Sequence, residues 1–300
     1  MTDARKNRLR RTMMFLSAQR PSLMKDAYIY GADSVMFDLE DAVAENQKDA
    51  ARFSLYHTLK EIDYGGVERI VRINGLDTPH WKEDIRVCVA GGADGIRIAK
   101  CETAADVEAV DAAVTAAEEE FGVEKGKTLL MAAIESPLGV VNALAICRAS
   151  DRLFGVAISG GDFRKSMQAA YNPSGIEMLA ARGQLLLAAR AAGVQCFDTV
   201  FTNMDDLEGF RAEAELDKQM GFDGKSIVNP KQIQIVHEIF TPTQKEIIEA
   251  ERIVRTIKEN AEKGVGIFTL DGKMLDIAYL PGAERTLALA KASGLYEEDL

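Results

Sequence analysis

The sequence predicts an α/β protein, a (β/α)8 TIM barrel with a C-terminal helical and extended appendage, on three observations. Its 300 residues suit one such barrel plus a modest extension. Short apolar runs alternate with longer amphipathic segments, the pattern of βα units around a parallel sheet. Polar residues gather where those runs end, the place at which barrels of this kind carry their chemistry.

The runs are Thr12–Ser17, Ser34–Leu39, Arg69–Asn74, Gly95–Ala99, Leu129–Ile134, Leu153–Ile158, Gln195–Val200 and Gly224–Val228, enough for a closed barrel of eight strands. Between them Gln47–Leu59, Thr103–Phe121, Gly175–Ala192 and Leu207–Met220 have helical patterning. Thr103 with Asp106 makes a capping box, and Gly193 stands where a helix C-terminal glycine belongs. Beyond Pro230 the period changes: a helix runs from Pro242 to about Lys263, Gly264–Asp276 is extended or a hairpin, and Gly282–Ser293 is a last helix. Residues 9–240 are therefore expected to form the catalytic barrel. Residues 241–300 are too short to bury a comfortable core of their own and are expected to pack on the barrel or on a neighbouring subunit.

Composition narrows the function. With 47% hydrophobic and 28% charged residues the chain is globular, and a net charge of -11 argues against a nucleic-acid groove. The stretch Met1 to Arg11 is basic and polar, and the apolar run after it is too short for a signal or a membrane span, so a cytoplasmic protein is expected. Cys88, Cys101, Cys147 and Cys196 lack C-x-x-C spacing and read as reduced, mostly buried residues. His57, His80 and His237 are isolated, so no zinc cluster is expected.

The predicted strand ends carry Asp38-Leu39-Glu40-Asp41, Arg72-Ile73-Asn74, Lys100, Glu135, Gly160-Gly161-Asp162, Asp198, and Lys225 with Asn229. Glu135 and Asp162, from adjacent strands, can place two carboxylate oxygens on one cation and leave its other positions to water and substrate, as Mg²⁺ is usually held. Such an ion polarises a 2-keto acid and stabilises an oxyanion or enolate. Glu40 and Asp41 are placed to accept hydrogen bonds from metal-bound water. The same acids could instead cap the following helices. Arg72 offers a planar fork for a carboxylate, or a structural ion pair with the acidic ring. Lys100 and Arg11 could reach an anionic cofactor tail. Gly160 and Gly161 make no dinucleotide or P-loop fingerprint, and could let backbone N–H groups approach a substrate carboxylate.

These residues carry a resemblance. The chain from about Leu9 to Leu300 resembles the beta subunit of citrate lyase, within the malyl-, citramalyl- and citryl-thioester lyases related to the HpcH/HpaI aldolases. The markers are Arg10-Arg11-Thr12-Met13-Met14-Phe15, Met36 with Asp38-Leu39-Glu40-Asp41-Ala42-Val43, Val71-Arg72-Ile73-Asn74, Ala133-Ile134-Glu135-Ser136-Pro137-Leu138-Gly139, Gly221-Phe222-Asp223-Gly224-Lys225-Ser226, and Gly272-Lys273-Met274-Leu275-Asp276. The resemblance implies that Glu135 and Asp162 are the Mg²⁺ ligands, that Arg72 holds the keto acid, and that Asp276 acts across a subunit boundary near the acetyl-thioester enolate. It also implies a homotrimer. The sequence departs from the family pattern at Leu16-Ser17-Ala18, at Ala99 and Cys101 flanking Lys100, at Ser159-Gly160-Gly161-Asp162-Phe163, and at Ile277-Ala278-Tyr279.

The expected reaction is cleavage of a citryl thioester, on coenzyme A or an acyl-carrier protein, to an acetyl thioester and oxaloacetate. Lyase alpha and carrier subunits are the expected partners. Three alternatives stay open at this point: a citramalyl- or malyl-CoA lyase, a non-catalytic scaffold subunit of a lyase complex, and an aldolase acting on free keto acids.

Overall fold

Eight stretches whose residues are nearly all buried become the strands of a closed parallel barrel in a computed structural model that describes residues 4–298. They are β1 (Thr12–Ser17), β2 (Ser34–Asp38), β3 (Glu68–Arg72), β4 (Gly95–Ile98), β5 (Leu129–Ile134), β6 (Leu153–Ile158), β7 (Gln195–Asp198) and β8 (Gly224–Ile227). Each pairs in parallel with its chain neighbour, and β8 closes on β1. Both faces of every strand are covered, the inner by the lumen and the outer by helices, which is why the runs are apolar throughout rather than alternating.

The lumen is filled by Met13, Met36, Ile70, Leu129, Met131, Phe154, Ala157 and Phe197. Strand register fixes what stands above them: Asp38 is paired with Arg72, and Arg72 with Arg97. One row across β2, β3 and β4 therefore sets a carboxylate and two guanidinium groups side by side. The floor is closed by Arg10, which donates to both carboxylate oxygens of Glu68 at 2.7 and 2.6 Å and lies 3.9 Å from the ring centre of Phe154. Gly224 is needed at the start of β8, because a Cβ there would stand 2.0 Å from the Arg10 carbonyl oxygen.

The outer helices follow the expected punctuation. Thr103 and Asp106 form the reciprocal capping box of helix Ala104–Glu120, and Gly193 ends helix Ile176–Ala192 at φ 73°. The chain divides into two compact units, Met1–His237 and Glu238–Leu300, so the division falls within helix Lys231–Phe240. In the second unit, Ile247, Ala250 and Val254 of helix Gln244–Glu262 pack with Ala283, Leu287 and Ala290 of helix Leu280–Ala292. Between these helices lies an antiparallel hairpin of β9 (Phe268–Leu270) and β10 (Lys273–Leu275). Its turn residues, Asp271 and Gly272, have φ of 51° and 78°. The four cysteines are free and buried. Among the described residues no helix is long and apolar enough to cross a membrane.

Candidate active site

Two adjoining cavities open at the C-terminal ends of the strands. One, of about 280 Å³, is lined by Phe15, Asp38, Arg72, Arg97, Ser159 and Asp162 among others. The second, of about 360 Å³, is lined by Lys100, Glu102, Glu135, Ser136, Asp162, Lys165 and Ser166. Asp162 borders both. A larger cavity, of about 720 Å³, lies at the opposite end of the barrel beside Leu129, Leu153 and Val194, where strands begin. Size does not select the site here, because barrels of this kind carry their chemistry at the strand C-termini, where Asp38, Arg72, Arg97 and Glu135 come together.

Glu135 follows β5 and is only 3% exposed, yet neither carboxylate oxygen meets a well-formed hydrogen bond among the described residues, the Lys100 backbone N–H being the weak exception. Its neighbour Ser136 caps helix Pro137–Val141 through the Gly139 N–H, so Glu135 is not spent on capping. Burial, with the negative charge of Glu40 added, pushes its pKa up to about 7, and the cations Arg72 and Arg97 offset this only in part. A buried carboxylate without a partner is costly unless a cation completes it. Asp162 lies in the first turn of helix Gly160–Met167 and shares the cavity with Glu135, so the two predicted metal ligands are brought together.

Arg72 and Glu40 are also in the site, but already engaged. Arg72 closes its fork on Asp38 through Nε at 2.7 Å and Nη2 at 2.6 Å, and its Nη1 lies 2.8 Å from Glu40. The fork expected to be open to a substrate carboxylate is therefore closed on Asp38, because Asp38 is its register partner. Two of the five guanidinium N–H groups remain to face the cavity. Burial opposes the Arg72 charge, yet Asp38 and Glu40 hold its pKa above the usual arginine value. Lys100, at φ 50°, places Nζ 2.7 Å from Glu40 and 3.7 Å from the exposed Asp41. Five carboxylates (Asp38, Glu40, Glu102, Glu135, Asp162) against four cations (Arg72, Arg97, Lys100, Lys165) leave one surplus negative charge, room for a divalent cation followed by an anionic ligand.

Three expectations need correction. Arg11 precedes β1, hence stands at the floor of the barrel, and its guanidinium is clipped to Asp33 at 2.8 and 2.9 Å. It cannot line a cavity at the opposite strand ends. Arg11→Ala is accordingly expected to cost roughly 1–3 kcal/mol of stability and to leave KM unchanged. Thermal melts with steady-state kinetics check this, and a tenfold rise in KM would refute it. Gly160 does not offer its N–H to a substrate: it donates to Thr199 Oγ1 at 2.8 Å, and a Cβ would crowd the Thr199 side chain at 3.1 Å. Asp198 and Lys225 face outward, where they join Arg182, Glu213 and Asp217 beneath the helices. Although Asp198, Glu213 and Asp217 stand close enough together for a metal, Lys225 and Arg182 already fill that role. Asp276 stands in the second unit, where its carboxylate accepts from the Ala278 N–H and caps the turn Ile277–Tyr279.

Reasoning from the sequence passed over Arg97. It stands at the third position of β4, in the lumen, 2% exposed, and donates from Nη2 to Ser159 Oγ at 2.8 Å. Its Nε and Nη1 meet no hydrogen-bond partner among the described residues. Burial, with the positive charge of Arg72, brings its pKa down to about 10. The signal was present: a charged residue inside a short apolar strand has to be there for a reason.

A parallel barrel with acids and arginines converging at its strand C-termini is the architecture of a carbon–carbon lyase, and a family model described as a C–C bond lyase of the TIM-barrel fold matches residues 171–295. The chain belongs to the HpcH/HpaI aldolase/citrate lyase family, whose model matches residues 11–230. It is 50% identical over 292 residues to the citrate lyase subunit beta of Leuconostoc mesenteroides subsp. cremoris, covering 97% of each chain. It is 37% identical over 282 residues to a (3S)-malyl-CoA thioesterase of Cereibacter sphaeroides, covering 94% of this chain and 95% of that one. Among solved structures it is similar to protein CitE from Mycobacterium tuberculosis in complex with magnesium, acetoacetate and coenzyme A, with a TM-score of 0.76, 28% identity, and 94% and 98% of the two chains covered.

Proposed function

We propose that this chain is the citryl-thioester lyase of a citrate lyase system, using Mg²⁺ held by Glu135 and Asp162 to release oxaloacetate and an acetyl thioester. The observation that carries the reading is Glu135: two buried carboxylate oxygens without a well-formed hydrogen bond, in one cavity with Asp162. Hard oxygen donors of this kind suit Mg²⁺, and a pair of them leaves coordination positions for water and a keto acid. When bound, the ion supplies Lewis-acid polarisation of the keto-acid oxygens.

The rest falls to side chains. Arg72, held by Asp38, turns its remaining N–H groups toward the keto-acid half and orients it. Glu40 and Asp41, bridged by Lys100, orient water at the rim of the cavity. In the retro-Claisen step the substrate hydroxyl loses its proton to a cavity carboxylate or its water, and the O–H electron pair becomes the new carbonyl. The carbon–carbon bond breaks, its pair passes to the departing CH₂ as a thioester enolate, and that carbon takes up a proton. We assign this protonation to Asp276 of a neighbouring subunit in a homotrimer, since a donor must reach the acetyl end of the substrate. The thioester is carried on coenzyme A or on an acyl-carrier subunit, with a lyase alpha subunit as further partner.

A second reading is a citramalyl- or malyl-thioester lyase, favoured by the 37% identity to the malyl-CoA thioesterase. Purified protein is assayed with citryl-, citramalyl- and malyl-CoA for keto-acid release, with and without a chelator. Release of oxaloacetate, abolished by EDTA and restored by Mg²⁺, is the expected result. Preferred release of pyruvate or glyoxylate transfers the assignment to the second reading, and metal-independent release removes Glu135 and Asp162 from their role.

A further inference from the structure

Among the described residues the buried arginines, Arg97 excepted, are closed on carboxylates. Arg10 is paired with Glu68, Arg72 with Asp38, Arg152 with Glu118 and Arg182 with Asp198, each at 2.6 to 2.8 Å. Arg97 is likewise buried, at 2% exposed, yet its single acceptor is the neutral hydroxyl of Ser159. The Nε–H and both Nη1–H groups are left unanswered. A charge buried with most of its donors unmet costs several kcal/mol in the free protein, and folds retain such a group where a ligand completes it.

The surroundings of Arg97 narrow what that ligand can be. Arg97 is the register partner of Arg72, and their guanidinium carbons lie 5.2 and 5.3 Å from the ring centre of Phe15, so one aromatic ring supports both. Both line the same cavity of about 280 Å³, where Asp162 also lies. Arg72 has its countercharge in Asp38; Arg97 has none in contact. The forks that grip a carboxylate pair Nη2 with Nε or with Nη1; in Arg97 Nη2 already donates to Ser159, and Nε–H and Nη1–H stand free on either side of it, each able to donate to an anion entering the cavity.

We propose that Arg97 binds the second carboxylate of the keto-acid half, the carboxymethyl group present in a citryl thioester and replaced by methyl in citramalyl and by hydrogen in malyl thioesters. This rests on the reading that the barrel cavity takes the keto-acid half. It makes Arg97 a specificity-determining residue, because a monocarboxylic keto acid leaves its donors as unmet as they are in the free protein. Sites built to satisfy a buried polar group reject ligands that lack the partner far more strongly than an apolar pocket rejects a missing methylene. The depressed pKa of Arg97 agrees with a cation waiting for an anion.

The test compares wild type with Arg97→Met, which keeps bulk and removes charge, and Arg97→Lys, which keeps charge and removes the fork. With Mg²⁺ present, kcat/KM is measured for citryl- and citramalyl-CoA, and binding of oxaloacetate and of pyruvate is measured by calorimetry. In Arg97→Met, kcat/KM for citryl-CoA is expected to fall on the order of 10³-fold more than that for citramalyl-CoA, in the range that loss of one partner of a buried, hydrogen-bonded charge pair produces, with Arg97→Lys between. Equal losses on both thioesters, or an unchanged ratio of oxaloacetate to pyruvate affinity, overturn the proposal. If wild type cleaves no thioester, the lyase reading fails, while the oxaloacetate preference and its loss in Arg97→Met still decide the role of Arg97. Should Arg97→Met not fold, Arg97→Lys decides alone: retained preference for the dicarboxylate at wild-type level overturns it.

Discussion

Glu135→Gln is expected to lower keto-acid release by on the order of 10³-fold while leaving the metal-free protein at least as stable as wild type. The two halves of this prediction have one cause. An ion that polarises the keto-acid oxygens supplies several kcal/mol of transition-state stabilisation, and about 1.4 kcal/mol is a factor of ten in rate. Removing one of two anionic ligands forfeits most of that. In the metal-free protein the same carboxylate is buried with no side-chain hydrogen bond, and burial with repulsion from Glu40 outweighs what Arg72, Arg97 and the Lys100 backbone N–H offer it, so exchange for a neutral amide of equal shape relieves a charge. The pH dependence follows. Burial raises the folded pKa of Glu135 from 4.5 to about 7, so its contribution to stability is fully present below pH 4.5 and is lost as pH rises through 7. Metal-free Glu135→Gln should therefore melt higher than wild type at pH 8, with the gap closing toward pH 5. A variant that melts lower than wild type at pH 8, or retains a tenth of wild-type activity, would remove Glu135 from the metal site.

The barrel was legible because its strands are buried on both faces, so apolar runs mark them without ambiguity: β1, β5 and β6 begin and end where the runs do. That same feature hid which way each side chain points. In a half-exposed strand, alternation of polar and apolar residues tells one face from the other; in β4 and β7 every residue but Gln195 is buried. Asp198 was therefore grouped with the catalytic ring although its neighbours Phe197 and Thr199 take the inward positions, the first in the core and the second in the cavity wall. Arg97 was passed over inside Gly95–Ile98 for the same reason. Glu135 and Asp162 were easier, because residues just past a strand end reach the barrel mouth whatever the parity of the strand. Arg72 stands at the mouth, where its place at the end of an apolar run puts it, but only pairing of Asp38 with Arg72 across β2 and β3 discloses that its fork is already taken.

The outward parity of β7 and β8 leads to the second large effect, on stability. Lys225 Nζ lies 2.7 Å from Asp198, 2.7 Å from Glu213 and 2.9 Å from Asp217, all in a layer with no appreciable exposure of Lys225 itself. Arg182 grips Asp198 with two hydrogen bonds of 2.8 Å and lies 3.1 Å from Glu213. Three acids thus share two cations. The group resolves this by burial and repulsion from Asp198 pushing the Asp217 carboxyl well above the usual range, while Lys225 and Arg182 overcome the burial of Asp198 and hold it low. Lys225 and Arg182 are thus the cations in contact with this acidic cluster. Lys225→Met removes one of them and leaves a buried negative charge uncompensated, which costs about 3–5 kcal/mol and on the order of 10 °C in melting temperature for a chain of this size. Asp198→Asn in the Lys225→Met background should restore part of the loss, since it removes the stranded charge. Thermal denaturation of the two variants decides the matter: a loss below about 1 kcal/mol, or a double variant weaker than the sum of its parts, would mean that the network is not charge-balanced as described.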